Sequence, residues 1–129
     1  MRYLFVLLFG LLLLVACDNV TFSPLVGKWQ LKTVEKNGEI TQVDTVWYNF
    51  QSMSIFSLQI YKPAQDSYLQ YEGLRTQEDK VLSIKIFDEG VIQLSDWNNT
   101  SRSFTINSMN RRRLLLQSEE GFLYSFIKF

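Results

Sequence analysis

Histidine is absent from the 129-residue chain, and there is a single cysteine, Cys17. The chain therefore lacks the commonest general base near neutral pH and the commonest metal ligand. A single cysteine cannot form an internal disulfide, even in an oxidising compartment. These absences argue against a zinc site, a thiol protease and a Ser-His-Asp hydrolase. We expect no metal site, no cofactor and no catalytic residue.

An excess of charge of either sign is also missing, because 13 Lys and Arg residues balance 13 Asp and Glu residues. A nucleic-acid-binding protein usually carries a strong basic excess, so we predict no nucleic-acid partner. Aromatic residues, by contrast, make up 15% of the chain. Each buries roughly 150–250 Å², so a few of them can fill a small core. The length allows one domain.

The N-terminal segment has the pattern of a secretory signal. Arg2 is followed by uncharged, mostly apolar residues from position 3 to position 16, ending in Leu14-Val15-Ala16-Cys17. The apolar run is short for a membrane span, which needs about 20 residues, but suits a signal peptide. The alternatives are an uncleaved signal anchor or a buried N-terminal helix with an incidental cysteine.

The segment Leu14 to Cys17 resembles the lipobox of bacterial lipoproteins. The resemblance implies a diacylglyceryl group on the Cys17 thiol, cleavage between Ala16 and Cys17, and acylation of the new amine, for example with palmitate. Two or more acyl chains hold a protein stably on a membrane. The predicted organisation is a signal-peptide helix over residues 1–16, the lipidated cysteine and a tether over 17–24, and a domain over 25–129. The domain would face the periplasm or the cell exterior from the inner or outer membrane.

Residues 25–129 show the period-two alternation of β-strands and no sustained helical period. We predict strands at 26–36, 40–50, 53–61, 67–75, 80–87, a strand beginning near Phe104, 113–117 and 122–129. In the first, Trp29, Leu31 and Thr33 share one face. Asn37-Gly38 signals a hairpin, and residues 91–97 fit either a short strand or irregular structure. About eight strands with short connections predict an antiparallel β-barrel or sandwich.

The opening Gly27-Lys28-Trp29 resembles the Gly-x-Trp start of lipocalins, and Phe104-Thr105-Ile106, Met109 and Leu114-Leu115-Leu116 resemble the close of small bacterial lipocalin-like lipoproteins. The resemblance implies an up-and-down antiparallel barrel, with a possible cavity for a small apolar ligand. Larger lipocalins pack an Arg from near the last strand over the Trp. Here the last strand offers Lys128, and the nearest arginines are Arg111 to Arg113, one of which could reach Trp29.

Twelve apolar residues are predicted to face the interior, where they could line a pocket or, as their bulk favours, fill the core. They are Trp29, Leu31, Phe56, Leu58, Ile60, Leu82, Ile84, Ile86, Phe104, Ile106, Leu114 and Leu116.

Other features have a functional and a structural interpretation. The aromatic residues at 47, 48, 50, 61, 68 and 71 could form a sugar- or lipid-binding lip, but cross-strand packing is favoured. Arg111 to Arg113 could dock a phosphate or an anionic lipid head, but a solvated turn is favoured. Acidic residues in predicted turns lack the spacing of a calcium loop or an acid/base pair.

Two functions follow from these patterns. The leading hypothesis is a lipid-anchored lipocalin-like domain that binds a small hydrophobic ligand. The alternative is a filled barrel that acts as a structural module or binds a protein or polysaccharide of the cell envelope. The sequence specifies no ligand-binding residue, ligand identity or oligomeric state.

Overall fold

A computed structural model describes residues 24–129 of the chain. The predicted signal peptide, Cys17 and the tether up to residue 23 lie outside the described residues. Within the described part, no helix has both the length and the hydropathy that a membrane span requires.

The described chain consists almost entirely of β-strands. The strands are β1 (Gly27–Lys36), β2 (Glu39–Gln42), β3 (Val46–Phe50), β4 (Ile55–Lys62), β5 (Ser67–Glu78), β6 (Val81–Ile86), β7 (Ser101–Met109), β8 (Arg113–Ser118) and β9 (Leu123–Lys128). A 3-10 turn, Pro63–Gln65, joins β4 to β5, and a short helix, α1 (Gly90–Leu94), lies between β6 and β7.

Eight of these strands, β1 and β3 to β9, form a closed antiparallel barrel. Each of the eight pairs with the next along the chain, and β1 pairs with β9 to complete the circle. The prediction of an all-β up-and-down barrel of about eight strands is therefore confirmed. The ninth strand, β2, pairs only with the second half of β1 and is additional to the barrel.

Two details of the predicted strands differ from the structure. The strand expected over residues 40–50 is two strands, β2 and β3, interrupted at 43–45. The segment 91–97, left open between strand and irregular structure, begins within α1. A five-residue helix is too short for its apolar period to be detectable in the sequence.

The twelve residues predicted to face the interior are all buried in one core cluster. The prediction that Thr33 shares their face is wrong. The pairing of β1 with β9 shifts its register between Leu31 and Thr33, so that one extra residue sits in β1. Such a bulge reverses which side chains point inward, and Val34 rather than Thr33 enters the core.

The two ends of the barrel differ. At the end where β1 begins, which we call the closed end, Leu25 is fully buried and its carbonyl accepts a hydrogen bond of 2.9 Å from Trp29 Nε1. At the opposite end, which we call the mouth, the connection over residues 87–100 folds onto the barrel. Val91 of α1 and Trp97 are buried there.

Candidate ligand pocket

A cavity of about 370 Å³ lies at the mouth of the barrel. Its apolar wall consists of Leu31, Val34, Val43, Val46, Leu58, Ile60 and Leu94. Polar side chains join this wall: Lys36, Thr41, Thr45, Ser95 and Asp96. An apolar cavity with a few polar groups is the usual form of a site for a small apolar molecule.

The cavity exists because β2 and β3 do not form one continuous strand. Val43 still donates its N–H to Lys32 O at 2.8 Å, and Tyr61 donates to Thr45 O at 2.8 Å. Regular pairing between β3 and β4, however, begins only at Val46 and Ile60. Since β2 pairs with β1 alone, a gap opens between β2 and β4, and the cavity occupies it.

The bulge in β1 determines which side chains enter this gap. After the extra residue in β1, the side chains of Val34 and Lys36 take the inward positions and line the cavity. The Lys36 ammonium lies 5.2 Å from the centre of the Phe122 ring. A flexible cation therefore stands beside a mainly apolar wall.

Below the cavity, aromatic rings fill the barrel. The ring centre of Tyr48 is 4.8 Å from that of Phe126 and 5.5 Å from that of Phe56. The Trp97 ring stacks at 6.3 Å on Phe56, and its Nε1 donates to the Tyr48 hydroxyl at 3.1 Å. Of the twelve predicted interior residues, only Leu31, Leu58 and Ile60 line the cavity, while the other nine pack in the core.

A partly buried polar network fixes the exposed Asp96 beside the cavity. Tyr124 donates its hydroxyl proton to Asp96 Oδ2 at 2.8 Å and accepts a hydrogen bond from Arg102 Nη2. Arg102 Nη1 lies 3.7 Å from Asp96 Oδ1, so the carboxylate charge is compensated. The Arg102 guanidinium also lies 4.9 Å from the centres of the Phe104 and Tyr124 rings.

Two tyrosines of this region are held in their neutral form. Burial, with the nearby Asp96 carboxylate, raises the pKa of Tyr124 to about 12. The same two causes raise the pKa of Tyr48. Both hydroxyls therefore act as hydrogen-bonding groups of the core at physiological pH. Within residues 24–129, no three His, Cys, Asp or Glu side chains come together as metal ligands.

The aromatic residues singled out in the sequence divide between the two faces of the sheet. Tyr48, Phe50 and Tyr71 belong to the core. Trp47 lies on the outer face, with its ring centre 5.9 Å from those of Tyr68 and Phe129. The favoured interpretation, cross-strand packing, describes both groups, and none of these rings lines the cavity.

Comparison with known proteins agrees with this architecture. The family model described as "Lipocalin-like domain" matches residues 12–129. The chain belongs to this lipocalin-like family. A crystal structure of a lipocalin-like protein from Bacteroides uniformis ATCC 8492 is 26% identical and superimposes with a TM-score of 0.74 over 83% of this chain and 100% of the other. No curated protein matches the sequence.

A second crystal structure, of an uncharacterized protein from Bacteroides eggerthii DSM 20697, has the same fold. It is 23% identical, with a TM-score of 0.71 over 81% of this chain and 98% of the other. The prediction of a small bacterial lipocalin-like domain is therefore confirmed.

In this lipocalin-like domain, a lysine makes the contact that the resemblance assigned to an arginine. The Lys128 ammonium lies 4.5 Å from the centre of the Trp29 ring and donates to Val26 O at 2.7 Å. Arg111 to Arg113 do not take this position. Arg111 and Arg112 lie in the connection between β7 and β8, Arg113 begins β8, and all three are exposed, as favoured for a solvated turn.

Proposed function

We propose that this lipocalin-like domain binds a small hydrophobic ligand in the cavity at the barrel mouth. The fold itself supports a ligand-binding or interaction module. The cavity supports the more specific function, because its 370 Å³ falls within the roughly 300–1,000 Å³ of small-molecule sites and its walls are mainly apolar. The polar groups beside it, Lys36 and the compensated Asp96, would orient the polar end of a ligand.

We also propose that the chain is a bacterial lipoprotein, held on the inner or outer membrane by lipid on Cys17. Support for this comes from the sequence Leu14 to Cys17, whose single cysteine falls at the position that a lipobox requires. Intact mass spectrometry of the membrane fraction would test it. The expected mass is that of residues 17–129 plus a diacylglyceryl group and an acyl chain, whereas an uncut chain of precursor mass would refute it.

Native mass spectrometry of the gently purified protein would test ligand binding. We expect a reproducible small-molecule adduct on the natural protein, because an apolar cavity open at the mouth should retain its ligand. A Val43→Trp substitution places a large ring in the cavity wall and should remove the adduct. The matched control is Val81→Trp, since Val81 is 48% exposed and does not line the cavity.

Two results would contradict the proposal. One is that repeated preparations of the natural protein carry no adduct. The other is that the adduct persists on the Val43→Trp variant, which would place the molecule elsewhere.

A second candidate function is an interaction module of the cell envelope, and the outer aromatic group favours it. Tyr68 and Phe129 are 56% and 70% exposed and flank Trp47 on the outer face of the barrel. Exposed aromatic groups often mark contact sites for proteins or sugars. Crosslinking in intact cells that retrieves one consistent partner, lost in a Tyr68→Ser variant, would favour this function. Both candidates are non-enzymatic.

A further inference from the structure

The charges of the barrel are divided between its two ends, although the whole chain is neutral. The described connections at the mouth, over residues 37–38, 43–45, 63–66, 87–100 and 119–122, contain Asp and Glu residues but no Lys or Arg. The acidic residues are Asp44, Asp66, Asp88, Glu89, Asp96 and the pair Glu119-Glu120. The basic residues of this end, Lys36, Lys62, Lys85 and Arg102, lie near the ends of strands and are fewer than the acidic ones, so the mouth is on balance an acidic surface.

The closed end is basic. Its connections lie at 51–54, 79–80 and 110–112, and the exposed side chains there include Arg111, Arg112, Arg113 and Lys80. Lys28 follows at the start of β1, and the acidic residues of this end are Glu78 and Asp79. The three arginines are thus the longest run of consecutive like charges at either end of the barrel.

The arginine turn is attached firmly to the end of the last strand. Arg112 N–H and Arg113 N–H both donate to Asn110 Oδ1 at 2.8 Å, which shapes the turn. The Lys128 N–H donates to Arg112 O at 2.8 Å, and the Phe129 N–H donates to Lys28 O at 2.9 Å. The basic groups and the C-terminal ring are therefore held side by side.

Apolar side chains accompany these charges. Phe129 is 70% exposed, and Met53, in the connection between β3 and β4 at the same end, is 64% exposed. Basic residues combined with exposed apolar side chains are typical of surfaces that lie on a membrane. The mouth also has exposed apolar side chains, among them Phe87, Ile40 and Leu94, but its connections carry carboxylates that an anionic bilayer would repel.

The path of the chain brings the basic end to the membrane. Leu25, buried at the closed end, lies eight residues after Cys17. A chain spans at most about 3.6 Å per residue, so an anchored Cys17 would keep Leu25 within roughly 30 Å of the lipid. This step depends on the lipid anchor put forward under the proposed function.

We propose that the closed end docks on an anionic lipid bilayer through Arg111 to Arg113, Lys28 and the exposed side chains of Phe129 and Met53. The mouth and its cavity then point away from the membrane, toward the compartment from which a ligand arrives. Each basic residue near an anionic membrane surface increases the partitioning of a protein onto that membrane by roughly fivefold. The three arginines together therefore suffice to hold a tethered domain in one orientation.

Fluorescence of the lipidated protein in vesicles would test this orientation. A cysteine introduced at Met53 on the closed end, or at Glu119 at the mouth, can carry an environment-sensitive fluorophore, because lipid blocks the Cys17 thiol. The vesicles consist of phosphatidylcholine with or without phosphatidylglycerol. We expect a blue shift of the label at position 53 only when phosphatidylglycerol is present, and no shift of the label at position 119.

Charge reversal and salt provide the controls. An R111E/R112E variant should lose the blue shift, whereas K62E/K85E, which alters two lysines toward the mouth, should retain it. Raising NaCl from about 0.1 M to about 1 M shortens the Debye length from about 10 Å to about 3 Å and should also remove the shift. The salt test needs no charge-reversal variant, so it holds even where R111E/R112E impairs folding.

The outcomes separate docking from anchoring. If the protein floats with both kinds of vesicle but the label at position 53 never shifts, docking is refuted and the anchor stands. A shift at position 119 instead of 53 would overturn the proposed orientation. If the natural chain without an introduced cysteine takes up the label, Cys17 carries no lipid and the anchor fails. In that case docking is tested on a Cys17→Ser variant labelled at position 53. A blue shift that depends on phosphatidylglycerol supports docking, and the absence of a shift refutes it.

Discussion

Replacement of Lys128 should destabilise the barrel far more than replacement of a surface lysine. Its ammonium contacts the Trp29 ring at 4.5 Å and donates to Val26 O at 2.7 Å, joining the last strand to the segment that closes the barrel. A partly desolvated cation–π contact contributes roughly 0.5–2 kcal/mol. A hydrogen bond to a charged group contributes about 1.5–3 kcal/mol.

The two contributions are not fully additive, and burial opposes them. Burial lowers the pKa of Lys128, which shows that desolvation offsets part of the gain from the charged form. We therefore expect Lys128→Ala to lower the free energy of unfolding by about 2 kcal/mol, toward the lower end of these ranges. Lys128→Arg should retain most of the stability, since a guanidinium can make both contacts.

Urea unfolding followed by tryptophan fluorescence would measure this effect, because Trp29 reports on the closed end. With a slope of about 1–3 kcal/mol per M, a loss of about 2 kcal/mol shifts the midpoint by on the order of 1 M. Lys85→Ala, at an exposed position, is the control. A midpoint for Lys128→Ala that coincides with that of Lys85→Ala would refute the role assigned to Lys128.

Gly27 allows Lys128 to approach the backbone, and a double-mutant cycle would show it. Gly27 has φ +133°, and a Cβ there would overlap the Lys128 ammonium. Gly27→Ala should therefore be strongly destabilising in the natural chain. In the Lys128→Ala background it should cost less, because the steric overlap disappears and only the backbone strain remains. Equal costs in both backgrounds would show that the two residues are not coupled.

Three further changes test the packing of the barrel. Gly73→Ala should cost about 1–3 kcal/mol in urea unfolding, because the added methyl group would overlap the backbone of β6. Tyr48→Phe should cost about 1–3 kcal/mol, since it leaves the buried Trp97 N–H without a partner; an unchanged midpoint would refute this hydrogen bond. The pKa of Tyr124 rises from 10.0 to about 12 on folding, so its contribution to stability is complete below pH 10.0 and is lost as pH rises toward 12. Tyr124→Phe should reduce this alkaline loss in pH-dependent denaturation, and an identical profile would contradict the assignment.

Most of the barrel could be predicted from the sequence because its determinants are local. Leu82, Ile84 and Ile86 alternate with exposed or half-buried residues, and period-two alternation is a direct consequence of strand geometry. The turn at Asn37-Gly38 was also predictable from local sequence. Asn and Gly tolerate positive φ, and both residues adopt it there.

The position and most of the lining of the cavity were not predictable, because their determinants are long-range. The interruption of the second predicted strand at 43–45 contains no Gly or Pro to mark it. It arises from which strands pair: β1 pairs with β2 and β3 in succession, while β4, on its edge opposite β5, pairs with β3 and not with β2. The bulge that turns Val34 and Lys36 inward likewise appears only in the pairing of β1 with β9.

The covering of the mouth was missed for a related reason. Trp97 stood in a segment without a clear period, and its hydrogen-bonding partner Tyr48 lies 49 residues away. The network of Asp96, Arg102 and Tyr124 joins three separate parts of the chain, and no local motif announces it. The sequence would have predicted this network only if its residues lay in one short motif.

Methyl NMR of the ligand-free and ligand-loaded domain would test the central claim most directly. Adding the small molecule recovered by native mass spectrometry should shift the methyl signals of Val34, Val46 and Ile60, which line the cavity. The signals of Leu82 and Leu116, buried in the packed interior, should stay in place. Shifts confined to the outer face of the barrel, with the cavity methyl groups unchanged, would contradict ligand binding at the mouth.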